Sequence, residues 1–183
     1  YCGVSVASQS TYYGRRERDL INGFKGKIDG TRFYSKMRIR EVDGRRTTVP
    51  VPEAGLSWEL LDYIRAKVKG PLILKGVLTR EDALQALKCG CDAIYVSNNG
   101  GRALDYAVGT IDVLAEIAEA VDGRVPIIVD GGFVRGNDVL KAVALGATAV
   151  AIGRLQALAL SAGGTAALTN ALEILEEEMI ITM

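Results

Sequence analysis

Four short apolar runs in this chain end on residues that could do chemistry. Leu72-Ile73-Leu74 leads into Lys75-Gly76, and Ala93-Ile94-Tyr95-Val96 leads into Ser97. Val125 to Val129 leads into Asp130-Gly131-Gly132, and Ala147 to Ile152 into Gly153-Arg154. A lysine ammonium at such a place can stabilise an anionic ring or developing negative charge. Glycines let backbone N–H groups approach an anion closely, and a following helix N-terminus adds positive potential. Asp130-Gly131-Gly132-Phe133-Val134-Arg135-Gly136 has this form, and so does Gly153-Arg154. One glycine-rich turn reads equally as a tight turn; two neighbours, each with an arginine, point to a phosphate. The richest stretch is Ser97-Asn98-Asn99-Gly100-Gly101-Arg102. Arg102, and Arg16 earlier in the chain, are candidates for holding a carboxylate, which guanidinium binds bidentately. By composition both also read as ordinary surface arginines. The chain has no histidine, so any reaction here must work without imidazole.

The elements that would position these residues follow from periodicity. Tyr1 to Ala7 reads as a strand. Ser57 caps a helix with Leu60, Leu61, Ile64 and Val68 on one face, stopped by Gly70-Pro71. Thr79 opens another with Ala83, Leu84 and Leu87 apolar. Thr110 to Val121 turns Ile111, Leu114, Ile117 and Ala118 inward, and Asn137 to Leu145 is closed by Gly146. Two helical stretches follow, over Gln156–Ser161 and Thr165–Met179, and Glu176-Glu177-Glu178 reads as a solvated face. Strands alternating with helices predict a parallel sheet covered by helices. The polar punctuation falls at one end of every strand, the C-terminal end, where α/β barrels assemble their sites. The whole chain reads as a single domain, 1–183, with a long excursion over residues 23–56. Within it, Met37–Val42 and Arg46–Val51 predict a short hairpin across Asp43-Gly44.

The totals bound the rest. The chain has 183 residues, 49% of them hydrophobic, enough for a sizeable core. Lys+Arg and Asp+Glu both number 22, so no basic field draws in a nucleic acid. No apolar run is read as reaching the length of a membrane span, and no basic flank with a hydrophobic segment opens the sequence. Cys2, Cys89 and Cys91 are read as reduced packing cysteines of a cytoplasmic protein, because nothing completes a metal site around Cys89-Gly90-Cys91.

Several motifs, in order, resemble the FMN-dependent α-hydroxy-acid dehydrogenase/oxidase family. They are Gly14–Phe24, Pro71–Val77, Asp92–Arg102, Pro126–Gly132 and Ala149–Arg154. The resemblance implies a TIM barrel with FMN at its C-terminal face and oxidation of a 2-hydroxy acid to a 2-oxo acid. It implies that Lys75 lies near the flavin N1 and O2, and that Ser97 contacts the ring. Asp130, Gly131, Gly132, Gly153 and Arg154 would hold the ribityl chain and phosphate, with Arg135 a further candidate. Arg16 and Arg102 would hold the substrate carboxylate.

Three departures bear on activity. The family pattern S-N-H-G-G-R carries the histidine that takes the substrate proton, and here that position is Asn99. A neutral amide cannot serve as a general base near pH 7. The family's aspartate partner of that histidine corresponds to Gln9. The first arginine of D-G-G-x-R-R-G is replaced by Val134. A complete barrel needs about 250 residues, so the chain corresponds to a half-barrel comprising the fourth to eighth strands. The expectation is therefore an FMN-family protein with impaired 2-hydroxy-acid oxidation. The alternative is a non-catalytic FMN- or phosphate-binding module, or a structural half-barrel. Open sheet edges lead one to expect a second copy or a complementary N-terminal half as partner, or that the chain is a piece of a longer one.

Overall fold

In a computed structural model of the protein, residues 2–8, 21–22, 39–42, 45–48, 56–102, 104 and 106–183 are described. A five-stranded sheet runs in the order β1 (Val4–Ala7), β4 (Leu72–Val77), β5 (Ala93–Val96), β6 (Ile127–Val129), β7 (Ala149–Val150). Every neighbouring pair is parallel. A separate antiparallel hairpin joins β2 (Ile39–Val42) to β3 (Arg45–Thr48), with Val42 opposite Arg45. That is the expected hairpin pairing, with the second strand starting at Arg45; residues 37–38 and 49–51 of the expected strands lie outside the described residues. The crossovers are α1 (Trp58–Lys67), α2 (Arg80–Lys88), α3 (Thr110–Val121) and α4 (Gly136–Ala144), and α5 (Arg154–Thr182) closes the chain. The architecture is α/β, a partial (β/α) barrel of five parallel strands.

Period-two alternation explains the core. Leu72, Leu74, Ile94, Val96, Ile127 and Val129 point to the helix-covered face and are all buried. Leu61, Ala83, Ala86, Leu114, Ile117 and Val121 meet them from α1, α2 and α3. The register Ala7–Lys75–Tyr95–Ile128–Ala149 runs across the other face. Its members are half-buried in the middle of the sheet and exposed at Ala7 and Ala149.

The caps fall where hydroxyl chemistry places them. Ser57 Oγ accepts from Leu60 N at 3.3 Å, and Thr79 Oγ1 accepts from Asp82 N at 3.1 Å. Two inward assignments need correction. Leu60 is 38% exposed and Ile111 is 36% exposed, at the edge of faces whose other expected members Leu61 and Leu114 are buried. Cys89 and Cys91 are buried free thiols, and burial pushes Cys91 up to about 11. Cys2, by contrast, is exposed.

The N-terminal ends of β4 and β5 are pinned by one charged cluster that periodicity does not reveal. Arg65 Nη1 lies 2.7 Å from Asp92 Oδ2, and that oxygen also accepts from Leu72 N at 2.8 Å. Arg65 Nη2 donates to Val68 O and Gly70 O, so α1 ends against the strand it feeds. The bonds from Leu72 N and Arg65 hold the Asp92 carboxyl below its ordinary value.

Helix α5 corrects another expectation. Its 29 residues, with mean hydropathy 1.2 over an 18-residue window, are long and apolar enough to cross a membrane by length and composition. Its dihedrals break at Gly163 (φ −166°) and Gly164 (φ 64°), which recovers the two stretches expected from sequence. Glu178, assigned to a solvated face, is instead engaged: its Oε2 accepts from Gly136 N at 2.7 Å. The second part of α5 is thereby fastened to the start of α4.

Ile94 lies in the central strand and is fully buried. Truncation there removes transfer energy and leaves a cavity, so Ile94→Ala should cost about 2–5 kcal/mol. Urea denaturation followed by circular dichroism measures it.

Candidate functional site

Three neighbouring strands meet at one hydroxyl. Ser97 follows β5 directly and is fully buried. Its Oγ donates to Asp130 Oδ1 at 2.6 Å and accepts from Lys75 Nζ at 2.9 Å and Asn99 N at 3.2 Å. Those bonds use its one donor and both lone pairs. Lys75 Nζ also lies 3.5 Å from Asp130 Oδ2 and 5.1 Å from the Tyr95 ring centroid. The strand was expected to end at Lys75-Gly76; β4 instead continues to Val77 through a register shift at Gly76 (φ 114°). The inward direction of its ammonium follows from the pairing of Lys75 with Tyr95 on the face away from the helices.

Beyond this cluster the chain turns sharply. Asn99, Gly100 and Gly101 have φ of 55°, 66° and 71°. Glycine and asparagine are the residues that tolerate this left-handed region. Gly101 N donates to Asn98 O at 3.1 Å, which closes a single 3₁₀ turn. Arg154, from the end of the next-but-one strand, reaches over the turn and donates through Nη2 to Gly100 O at 3.2 Å.

The other wall is the Asp130–Gly136 loop. Gly131 has φ 102°, and a Cβ there would lie 2.9 Å from Thr110 Oγ1. Thr110 is buried and its Oγ1 donates to Asp130 O at 2.5 Å. Thr110 therefore fixes the carbonyl of the residue whose carboxylate holds Ser97. Sequence reading treated it only as the start of α3. Gly132 (φ 90°) and Gly153 both have open space where a Cβ would stand, so their backbones face the cleft unscreened.

Between these walls is a cleft of about 530 Å³. Asn99, Arg102, Asp130, Gly131, Gly132, Gly153 and Arg154 all line it, together with Phe133 and Val134. A second cleft of about 300 Å³ lies by the N-termini of α1 and α2; among the described residues no arginine or lysine lines it. Of the residues singled out from sequence, Lys75 and Ser97 sit beneath the larger cleft, and Arg135 does not line it. Arg16 and Gln9 lie outside the described residues. Two further groups were missed. Asn98 Nδ2 donates to Val108 O at 3.1 Å, while its buried Oδ1 has no hydrogen-bond partner among the described residues. Tyr95 is the other: burial, then the negative charge of Asp130 and a hydrogen bond to it, push its phenol up to about 12.

The sequence profile of the FMN-dependent dehydrogenase family matches residues 4–183. The chain belongs to that family. It is 42% identical over 179 residues to the peroxisomal (S)-2-hydroxyacid oxidase GLO4 of Arabidopsis thaliana, covering 93% of this chain and 48% of that protein. It is 38% identical over 193 residues to 2-hydroxyacid oxidase 1 of Mus musculus, covering 100% of this chain and 52% of that protein. A solved structure of mandelate oxidase with benzoyl-formic acid superimposes with a TM-score of 0.78 at 38% identity, over 97% of this chain and 48% of that one. The chain thus spans about half the length of the curated relatives it matches.

Tyr95 gives this site a pH signature. A phenol raised from 10.0 to about 12 keeps its proton in the folded state after the unfolded chain has lost it. Folded protein then binds more protons than unfolded, so Tyr95 lowers stability as pH climbs from about 10 to about 12. In an ultraviolet titration, one of the seven tyrosines should ionise late, and Asp130→Asn should bring it earlier. Ser97→Ala should cost about 1–3 kcal/mol by denaturation, since it strands Lys75 and Asp130 without their shared partner.

Proposed function

We propose that this chain forms the cofactor-holding part of an FMN-dependent 2-hydroxy-acid oxidoreductase in which proton abstraction is impaired. The observation that carries the reading is Asn99. It lines the cleft beside Arg102, on a turn bonded to Ser97, while Lys75, Ser97 and Asp130 remain linked beneath.

The donor set fits the cofactor. The open backbones of Gly132 and Gly153, with the Arg154 guanidinium nearby, suit a phosphate. Lys75 supplies a fixed positive charge on the inner face of the sheet, where Asp130 balances part of it and Ser97 holds it in place. Bound FMN would supply the two-electron acceptor for the substrate α-carbon. Ser97 and Asp130 hold Lys75 in place, where its charge would stabilise the reduced acceptor, and Arg102 would supply the bidentate partner for a substrate carboxylate. Val134 leaves the loop side of the phosphate region without a guanidinium, so Arg154 bears more of the anion's charge.

A 2-hydroxy acid also needs a base to take its hydroxyl proton, and the group facing the cleft at that place is the Asn99 carboxamide. An amide accepts a hydrogen bond but does not accept the proton near pH 7. The substrate class is 2-hydroxy acids, and the cleft holds them better than it oxidises them. Reduced Cys89 and Cys91 suit a reducing compartment such as the cytoplasm.

A second reading is a structural half-barrel that associates with a second copy or with a complementary N-terminal half. The half-exposed inner face from Ala7 to Ala149 favours it. The two readings share the fold and differ in colour and mass. The purified chain should turn yellow with excess FMN and stay oxidised on adding glycolate, lactate or mandelate. Arg154→Ala should weaken FMN binding about 10- to 100-fold, the loss of one charge-assisted hydrogen-bond partner. A chain that stays colourless at saturating FMN refutes the cofactor claim, and rapid flavin bleaching by any of the three acids refutes the impairment. Light scattering should give a mass above that of one chain; a monomer counts against association.

A further inference from the structure

Arg135 is the only cation of the Asp130–Gly136 loop. It follows Phe133 and Val134, which both line the cleft, yet its own side chain does not. Its Nη2 lies 2.5 Å from Glu178 Oε1, although Arg135 itself is 69% exposed at the side chain. The other oxygen of that carboxylate accepts from Gly136 N at 2.7 Å. Glu178 therefore holds the Arg135 guanidinium and the Gly136 N–H, while Asp138 Oδ2 accepts from Val134 N at 3.2 Å and Arg135 N at 3.0 Å. The approach is close because residue 136 has no side chain. A Cβ there would come within 2.5 Å of Leu175 O and 2.6 Å of Glu178 Cβ.

We infer that Glu178 is an internal counter-anion that withholds Arg135 from the cleft and so sets how tightly the cleft holds a phosphate. The inference rests on the reading of this cleft as the phosphate end of an FMN site. With Val134 beside it and Arg135 turned away, the loop wall meets an anion without a guanidinium, and its Val134, Arg135 and Gly136 N–H groups already donate to Asp138 and Glu178. Among the described residues the guanidinium groups that line the cleft are Arg102 and Arg154, and Arg154 already donates to Gly100 O. Glu178 comes from the last turns of the helix whose first turn carries Arg154. The same helix therefore supplies a cation to one wall and neutralises a cation behind the other.

Glutamine at 178 keeps an acceptor for Gly136 N and removes the charge that holds Arg135. The experiment titrates inorganic phosphate and FMN into the full chain by calorimetry, as wild type, Glu178→Gln, Arg135→Ala and the double variant. Glu178→Gln should tighten phosphate about three- to ten-fold, the scale of a partly exposed guanidinium–phosphate pair. Arg135→Ala alone should leave affinity unchanged, and in the Glu178→Gln background it should restore the wild-type value. Arginine modification by phenylglyoxal, read by peptide mass spectrometry, should label Arg135 faster in Glu178→Gln whether or not ligand is present. Unchanged or weaker phosphate binding by folded Glu178→Gln overturns the role of Glu178 while FMN binding by the wild type leaves the cofactor reading standing. A loss of affinity in Arg135→Ala alone also overturns it, even should Glu178→Gln fail to fold. Phosphate and FMN binding by neither wild type nor Glu178→Gln brings down the cofactor reading and the affinity role together.

Discussion

The buried hydroxyl of Ser97 is the constraint on which the site depends. It joins β4 through Lys75, β6 through Asp130, and its own following turn through Asn99 N. Each partner would be costly to leave unpaired in a half-buried setting, and a charged one more so. The positions of ammonium, carboxylate and turn are thus decided together. Thr110 extends the network outward by holding the Asp130 carbonyl, so a helix N-terminus on one side and a strand end on the other share the same anchor. Fully satisfied networks of this kind specify a unique arrangement more than they add stability.

The fold was legible because its signals are local. Alternating apolar strands, hydroxyl caps at Ser57 and Thr79, and glycines after helices all act within a few residues. The break in α5 at Gly163-Gly164 falls between the two helical stretches expected from sequence, and the hairpin was read across Asp43-Gly44. What escaped depends on side chains far apart in sequence. Arg65 reaching Asp92 and Glu178 reaching Gly136 N each span more than twenty residues, and no periodicity encodes them. The exposed Leu60 and Ile111 mark the limit of a helical face, whose edge residues fall on either side of the boundary.

The site was legible in the same uneven way. Lys75, Ser97, Asp130, Gly131, Gly132, Gly153, Arg154, Asn99 and Arg102 converge because strand ends in a parallel sheet all open to one side. Arg135 was grouped with them by adjacency, yet one residue of helical entry turns it toward Glu178. Tyr95 and Thr110 went unnoticed because each also reads as an ordinary strand or helix residue. Their roles appear only once Asp130 is placed between them.

The turn at Asn99 separates shape from reactivity. Its backbone sits at φ 55°, a conformation that costs most side chains about 1–2 kcal/mol and asparagine less. Asparagine therefore preserves the curve of the chain, the bond to Ser97 and the approach of Arg154 while offering no group of useful basicity. Two proteins with superimposable clefts can accordingly differ in whether a proton has anywhere to go.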